Sequence, residues 1–462
     1  MRLLALRLLT VLALLLTSAG SGAASTIGPV SATGSIDGAA FKIEIPANWN
    51  GTLVLYSHGY VVPGSANLAT DVGDPVTRQY LLSQGFALAG SSYKSTGWAV
   101  QDALVDQIAL LDHFSATYGK PERTIAWGHS LGGMITAGLV QRHPDRFAGA
   151  LPMCGVLAGG VGVWNSSLDA EFVFKTLVAP TLQLVNIANP PANLGAAEGA
   201  LAAAQATPQG RARVALAAAV SDLPGWFSPL LPESAANQFA DREQNQFLWD
   251  SRVDFPFLFA LRAEMEARAG GNPSWNTHVD YGELLERSVN RDEVQALYAA
   301  AGLSLDHDLA TLAAAPRISA DPRAVRYLTR NIVYNGELDD VPVLTMHTTG
   351  DGLVLNQDEQ AYASIVDDRD LLRQTFVHRA GHCTFTPAET IAAFNSLLAR
   401  INTHRWPELG PEDLNAAAQG LGPQANVLLL GPTTIVPTAP AFLNFTPTAF
   451  PRPFSLEDRH ER

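Results

Sequence analysis

Ser130, Asp351 and His382 are residues of the three types that together make a hydroxyl reactive towards a carbonyl carbon, and they occur in the order nucleophile, acid, base. A serine attacks only when a base removes its proton, and a histidine, whose imidazole ordinarily titrates near neutrality, suits that task. An aspartate behind the histidine fixes its tautomer and stabilises the imidazolium formed on attack. The oxyanion that follows needs donors already in place. The backbone N–H of Leu131, next after the serine, and that of Tyr60, after His58-Gly59, are the candidates. The chemistry implied is acyl transfer from an ester or amide.

Such groups work only if the backbone brings them together, and the segments around them have that character. Arg123 to Gly128 is a short apolar strand that turns through Gly128-His129-Ser130-Leu131-Gly132 into an Ala/Leu/Val-rich helix. Glycines two residues either side of a serine let a strained strand-to-helix turn pack closely while Oγ stands clear. Gly51 to Ser57 reads as a buried strand ending in His58-Gly59-Tyr60, where a loop can turn N–H groups towards a substrate carbonyl. Val341 to Gly350 is another apolar strand, delivering Asp351 into a turn with glycine on both sides. Leu372 to His378 follows as a strand, leading to Gly381-His382-Cys383 and a helix starting near Thr386-Pro387. Each candidate therefore lies just past a strand's C-terminal end, the edge where open parallel α/β sheets place their ligands.

These four motifs, in this order, resemble the α/β-hydrolase superfamily over roughly residues 34–400. The resemblance implies an α/β fold, a mostly parallel sheet flanked by helices, and a hydrolytic mechanism. It also implies that a large, mainly helical cap is inserted between core strands 6 and 7, where this superfamily carries its lid. Some members hold the acid after the sixth strand, which makes Asp169 the runner-up to Asp351. The pair His382-Cys383 further resembles the histidine end of tannases and fungal feruloyl esterases, in which a cysteine after the histidine is bridged to one before the serine. Here His129 precedes Ser130, so the partner cysteine is missing from that position.

The chain has two cysteines, Cys154 and Cys383. Cys154 ends the apolar segment after the nucleophile helix, and Cys383 adjoins the candidate base, so both fall at the same sheet edge. An oxidising compartment and this placement favour a disulfide, while spacing alone leaves two buried thiols as the other reading. Residues 1–24 read as a secretory signal peptide: Arg2 and Arg7 precede the apolar run Leu8 to Leu16, and small residues lead to Ala24. That run falls well short of the roughly 20 residues a bilayer span requires. Export, extracellular or periplasmic, without a membrane span after signal removal is the expectation.

The remaining divisions are a first core part at residues 25–163, the helical cap at 164–340, a second core part at 341–402 and a Pro/Ala-rich extension at 403–462. Ser35 to Pro46 reads as an opening hairpin, and the extension as irregular structure or an edge strand that frays. Within the cap, Trp164 and Trp226 are the candidates for a substrate pocket. With 47% hydrophobic and 16% charged residues the composition is globular, and a net charge of −14 argues against nucleic acid and anionic membranes as partners. Eleven histidines form no metal-binding pattern, so no metal or other cofactor is expected. His58 reads as a structural member of the oxyanion loop.

The leading expectation is a secreted serine hydrolase acting on a small-molecule or polymeric carboxylic ester through an acyl-enzyme; oligomeric state is not legible. An exported serine aminopeptidase with the same triad is the enzymatic alternative, but it needs an acidic or polar anchor for the substrate's α-amino group, and none is identifiable in the sequence. The non-enzymatic alternative is a binding protein on a hydrolase scaffold.

Overall fold

A computed structural model describes residues 28–431 and 433–456; residues 1–24, read from sequence as a signal peptide, lie outside the described residues. Among the described residues eleven strands run in chain order: β1 (Val30–Ile36), β2 (Ala39–Ile45), β3 (Thr52–Ser57), β4 (Ala87–Ser91), β5 (Arg123–His129), β6 (Gly149–Met153), β7 (Val343–Gly350), β8 (Leu372–Ala380), β9 (Val427–Leu429), β10 (Ile435–Pro437) and β11 (Phe442–Leu443). Nine of them form one sheet in the order β1-β2-β4-β3-β5-β6-β7-β8-β11. From β4 to β8 every pairing is parallel, while β1, β2 and β11 add antiparallel edges. The central strands are continuous apolar runs because helices cover both faces; β3, β4 and β6 are buried at every residue. This is the α/β-hydrolase fold.

Every element between β6 and β7 is helical, from the helix Gly159–Leu177 to the helix Pro322–Arg330. This cap has its own apolar core, in which Phe172, Phe174, Phe255 and Phe259 pack with the Ala-rich helix Pro208–Val220. Its aromatic residues are thus mostly internal packing. Arg268 and Glu264, paired at 2.7 Å on one cap helix, fasten the cap to the loop after β4: Arg268 donates to the Thr96 carbonyl (2.8 Å), and Glu264 accepts from the Trp98 amide (2.9 Å). Among the described residues no helix is long and apolar enough to cross a membrane.

Two local expectations need correction. The opening hairpin starts at Val30 rather than Ser35, because β1 pairs along its whole length with β2, Val30 opposite Ile45. The C-terminal extension is more regular than its composition suggests. It contains a helix, Pro411–Gly420, whose start has proline in the first turn followed by Glu412 and Asp413, residues that suit the positive end of a helix dipole. After β11 it crosses back over the molecule, and Arg452 donates to both oxygens of Asp169 (3.1 and 2.9 Å).

Candidate active site

Ser130 sits at φ +60, ψ −128, between β5 and the helix Leu131–Arg142. A non-glycine residue held at positive φ is strained, and packing from both sides imposes it. A Cβ on Gly132 would lie 2.0 Å from the Ser57 carbonyl oxygen, and one on Gly128 would lie 2.5 Å from the oxygens of Ser57 and Gly132. Only glycine allows β3, β5 and the helix to close on the serine. A Cβ on Gly59 would meet Ser130 Cβ at 3.2 Å, so the loop after β3 also comes within contact of the serine. The Leu131 amide is the first of the helix, where N–H groups have no intrahelical acceptor. His58 shapes this loop: its Nδ1 lies 2.7 Å from the Gly59 carbonyl oxygen, and its ring stacks on Tyr93 at 4.0 Å. Burial pushes its pKa down, which suits a neutral structural imidazole.

Asp351 follows β7 directly and is buried. Its Oδ2 accepts from His382 Nδ1 at 2.7 Å, and its Oδ1 accepts from the amides of Leu353 and Val354, each at 3.0 Å. Burial would raise its pKa, but His382 and His347 outweigh that and hold it below the usual carboxylate value. Asp169, the runner-up, lies on the helix Gly159–Leu177 and is occupied by Arg452 and by the Tyr281 hydroxyl (3.1 Å).

The histidine loop is fastened from three sides. The Gly381 amide donates to the Gly350 carbonyl (3.0 Å), and Thr348 Oγ1 donates to the Gly381 carbonyl (2.8 Å). The helix Pro387–Thr403 begins with a reciprocal cap between Thr386 and Glu389, and Glu389 also accepts from buried Arg379 on β8. Cys383 forms a disulfide with Cys154, the Cα atoms 5.4 Å apart. The register shows how this bridge relates to the serine. His129 on β5 pairs with Met153 on β6, and the Ser130 amide donates to the Met153 carbonyl (3.0 Å), so Cys154 is Ser130's neighbour one strand over. The cysteine missing before the serine is thus replaced by one on the adjacent strand. A half-buried histidine takes the vacated position, His129, whose pKa desolvation and the nearby His382 push down to about 4.

Ser130, His382, Gly59, Tyr60 and Leu131 all face one cavity of about 370 Å³ between cap and sheet. Trp164 lines it. Trp226 is not among the lining residues; it packs on Gly350 and on the His378 ring (5.0 Å). Ser130 Oγ and His382 Nε2 are not joined by a hydrogen bond; the Cys383 sulfur lies 3.4 Å from that nitrogen. Catalytic hydrogen bonds of this kind often tighten only with substrate bound. Among the described residues no cluster of side chains could hold a metal ion.

Four lining or supporting residues had no readable signal. Phe450, remote in sequence, reaches the cavity because the extension crosses back over the cap. Asp250 and Asp254 line it from a π-helical turn, Asp250–Asp254, and look in sequence like any polar helix face. His347, inside β7, is completely buried behind Asp351. Its Nδ1 lies 3.1 Å from Glu359 Oε1, and its Nε2 lies 2.9 Å from the Val354 carbonyl oxygen and 3.6 Å from Asp351 Oδ2. Both ring nitrogens therefore face acceptors, which calls for a proton on each. Burial alone would lower its pKa, but Asp351 and Glu359 hold it up at about 10.

Residues 37–393 match a tannase-like family of unknown function, DUF6351. The o-phthalyl amidase of Xanthobacter agilis is 31% identical over 425 residues, 83% of this chain and 89% of that protein. Among solved structures, feruloyl esterase B from Aspergillus oryzae shares 15% identity with a TM-score of 0.38, covering 82% of this chain and 80% of the other. The rice cell wall degrading esterase LipA from Xanthomonas oryzae shares 12% identity with a TM-score of 0.36, covering 79% and 86%.

Proposed function

We propose that this chain, which belongs to the tannase-like family DUF6351, is a secreted serine hydrolase that cleaves carboxylic ester bonds through an acyl-enzyme. Its coarse class is that of a hydrolase of the esterase or amidase type. The observation that carries the finer reading is the 2.7 Å contact of His382 Nδ1 with buried Asp351, in a loop that faces the same cavity as Ser130 on its strained turn. Ser130 attacks the carbonyl carbon and His382 takes its proton. The Leu131 and Tyr60 amides receive the oxyanion, and collapse expels the alcohol, protonated by His382. Water then repeats the sequence on the acyl-enzyme. The disulfide supports an oxidising destination. Because the amidase relative is named for an o-phthalyl amide, amides belong in the same test. A panel of p-nitrophenyl esters of rising chain length, run beside o-phthalyl amides and aminoacyl-p-nitroanilides, should give turnover on the esters. Turnover confined to the anilides would favour the aminopeptidase reading, and none on any member would sink the hydrolase.

His347 enters this proposal as a positioning residue. As an imidazolium against Asp351 and Glu359, it holds the acid ionised and in place for His382. Hydrogen bonds to charged groups contribute about 1.5–3 kcal/mol, so His347→Gln should lower kcat/KM roughly ten- to hundredfold. Removing a positive charge behind Asp351 also strengthens its hold on the protonated base. The acid limb of the kcat/KM profile should therefore move to higher pH, which loss of packing alone would not cause. An unmoved acid limb would assign His347 to stability only.

A further inference from the structure

Three carboxyl groups that the hydrolytic steps do not use line the cavity beside Ser130: Asp358, whose Oδ1 accepts from the Ala158 amide (2.9 Å), and the pair Asp250 and Asp254. Asp250 and Asp254 lie four residues apart on one π-helical turn, and both line the cavity. Each is 8% exposed, and Asp254 Oδ2 is fully buried without a hydrogen-bond partner. A buried carboxyl oxygen with nothing to bond is costly, and such groups are retained where a ligand completes them. The charges acting on the pair are themselves carboxylates: Glu243 acts on Asp250, and Asp250 and Asp351 act on Asp254. Burial, reinforced by these neighbours, pushes Asp250 up to about 8 and Asp254 well above the usual range. No lysine or arginine is among the residues lining the cavity, so a substrate carboxylate would meet no cation there. Its other walls include the rings of Trp98, Trp164, Tyr60 and Phe257. Carboxylates set among aromatic faces attract an organic cation both by charge and by the ring quadrupole.

We propose that Asp250 and Asp254 form a substrate subsite for a protonated amine, so that the substrate cleaved at Ser130 carries an ammonium group on the part held under the cap. The assignment of the bond-breaking site rests on the serine-hydrolase reading above; the ammonium preference rests on the cavity. It also supplies the acidic anchor that the sequence did not reveal. An entering ammonium gives both carboxyls the counter-charge they lack, and their ionisation is then favoured in the occupied site.

The test is calorimetric binding of benzylammonium, benzyl alcohol and benzoate to Ser130→Ala protein, which needs no turnover. Benzylammonium should bind about tenfold or more tightly than benzyl alcohol, with benzoate weakest. In Ser130→Ala/Asp254→Asn, and separately in Ser130→Ala/Asp250→Asn, that ratio should fall about tenfold. Equal affinity for benzylammonium and benzyl alcohol would overturn the proposal. So would preference for benzoate, or a ratio unchanged in both variants. Should neither variant fold, the ratio in the Ser130→Ala protein alone still decides. Failure of the ester panel with the ammonium preference intact would sink the hydrolase reading and leave the subsite standing, and the reverse pattern would sink only the subsite.

Discussion

Ser130→Ala should abolish ester hydrolysis, lowering kcat by roughly 10⁴-fold or more while thermal stability stays nearly unchanged. The serine Oγ makes no side-chain hydrogen bond that caps its helix, and the strained backbone is imposed by the glycine contacts around it, so the hydroxyl is dispensable to packing. His382→Ala should cost a comparable amount. The double variant should be hardly slower than either alone, because the two act as one unit in a single proton transfer. Multiplicative losses would point to another base. Asp351→Asn should lower kcat by about 10⁴-fold, since an amide in its place favours the wrong imidazole tautomer. Asp169→Asn should leave kcat of the folded protein within a few-fold of normal and weaken the Arg452 contact instead. A crippled chemical step in Asp169→Asn would move the acid to the Gly159–Leu177 helix.

The largest expected change in stability comes from the Cys154–Cys383 disulfide. The bridge joins residues 229 positions apart and closes a loop holding the whole cap. In the chain-entropy description a loop of this length is worth about 5 kcal/mol through the unfolded state, although measured gains often fall short. Cys154→Ser/Cys383→Ser should therefore lower the melting temperature by several degrees or more. Activity should suffer before the fold does. Cys383 adjoins His382 and Cys154 neighbours Ser130, so the bridge ties base to nucleophile across one strand spacing. Below the melting temperature kcat should already be reduced, and KM less so, as expected when the base drifts from the serine rather than when the cavity collapses. An unchanged kcat in folded, bridge-free protein would make the disulfide a stabiliser alone.

The elements that position the candidate triad were legible because each carries a strong local signal. An apolar strand running into glycines and then a helix can fold in few ways, and Gly128 and Gly132 announce the close contacts later found at Ser57. Asp351 between glycines and His382 before a capped helix are similarly local. The cap was visible only as helical periodicity without strands, because which face of a helix looks inward depends on what covers it. Asp250 and Asp254 have the spacing of a solvated face, and the cap's packing on the sheet alone turns them into the cavity. His347 reads as one polar residue in a buried strand, and its charge follows from Glu359 on a helix that returns to it. Phe450 and Arg452 reach the cap because the final segment, after pairing at β8, crosses the surface to Asp169. Local sequence therefore determined the strands, turns and order of the reacting groups, since their backbone constraints act over a few residues. Tertiary structure decided the cavity's charge and its aromatic walls, which arise from segments far apart in the chain, and the support behind the acid, which arises when the helix carrying Glu359 packs back on β7.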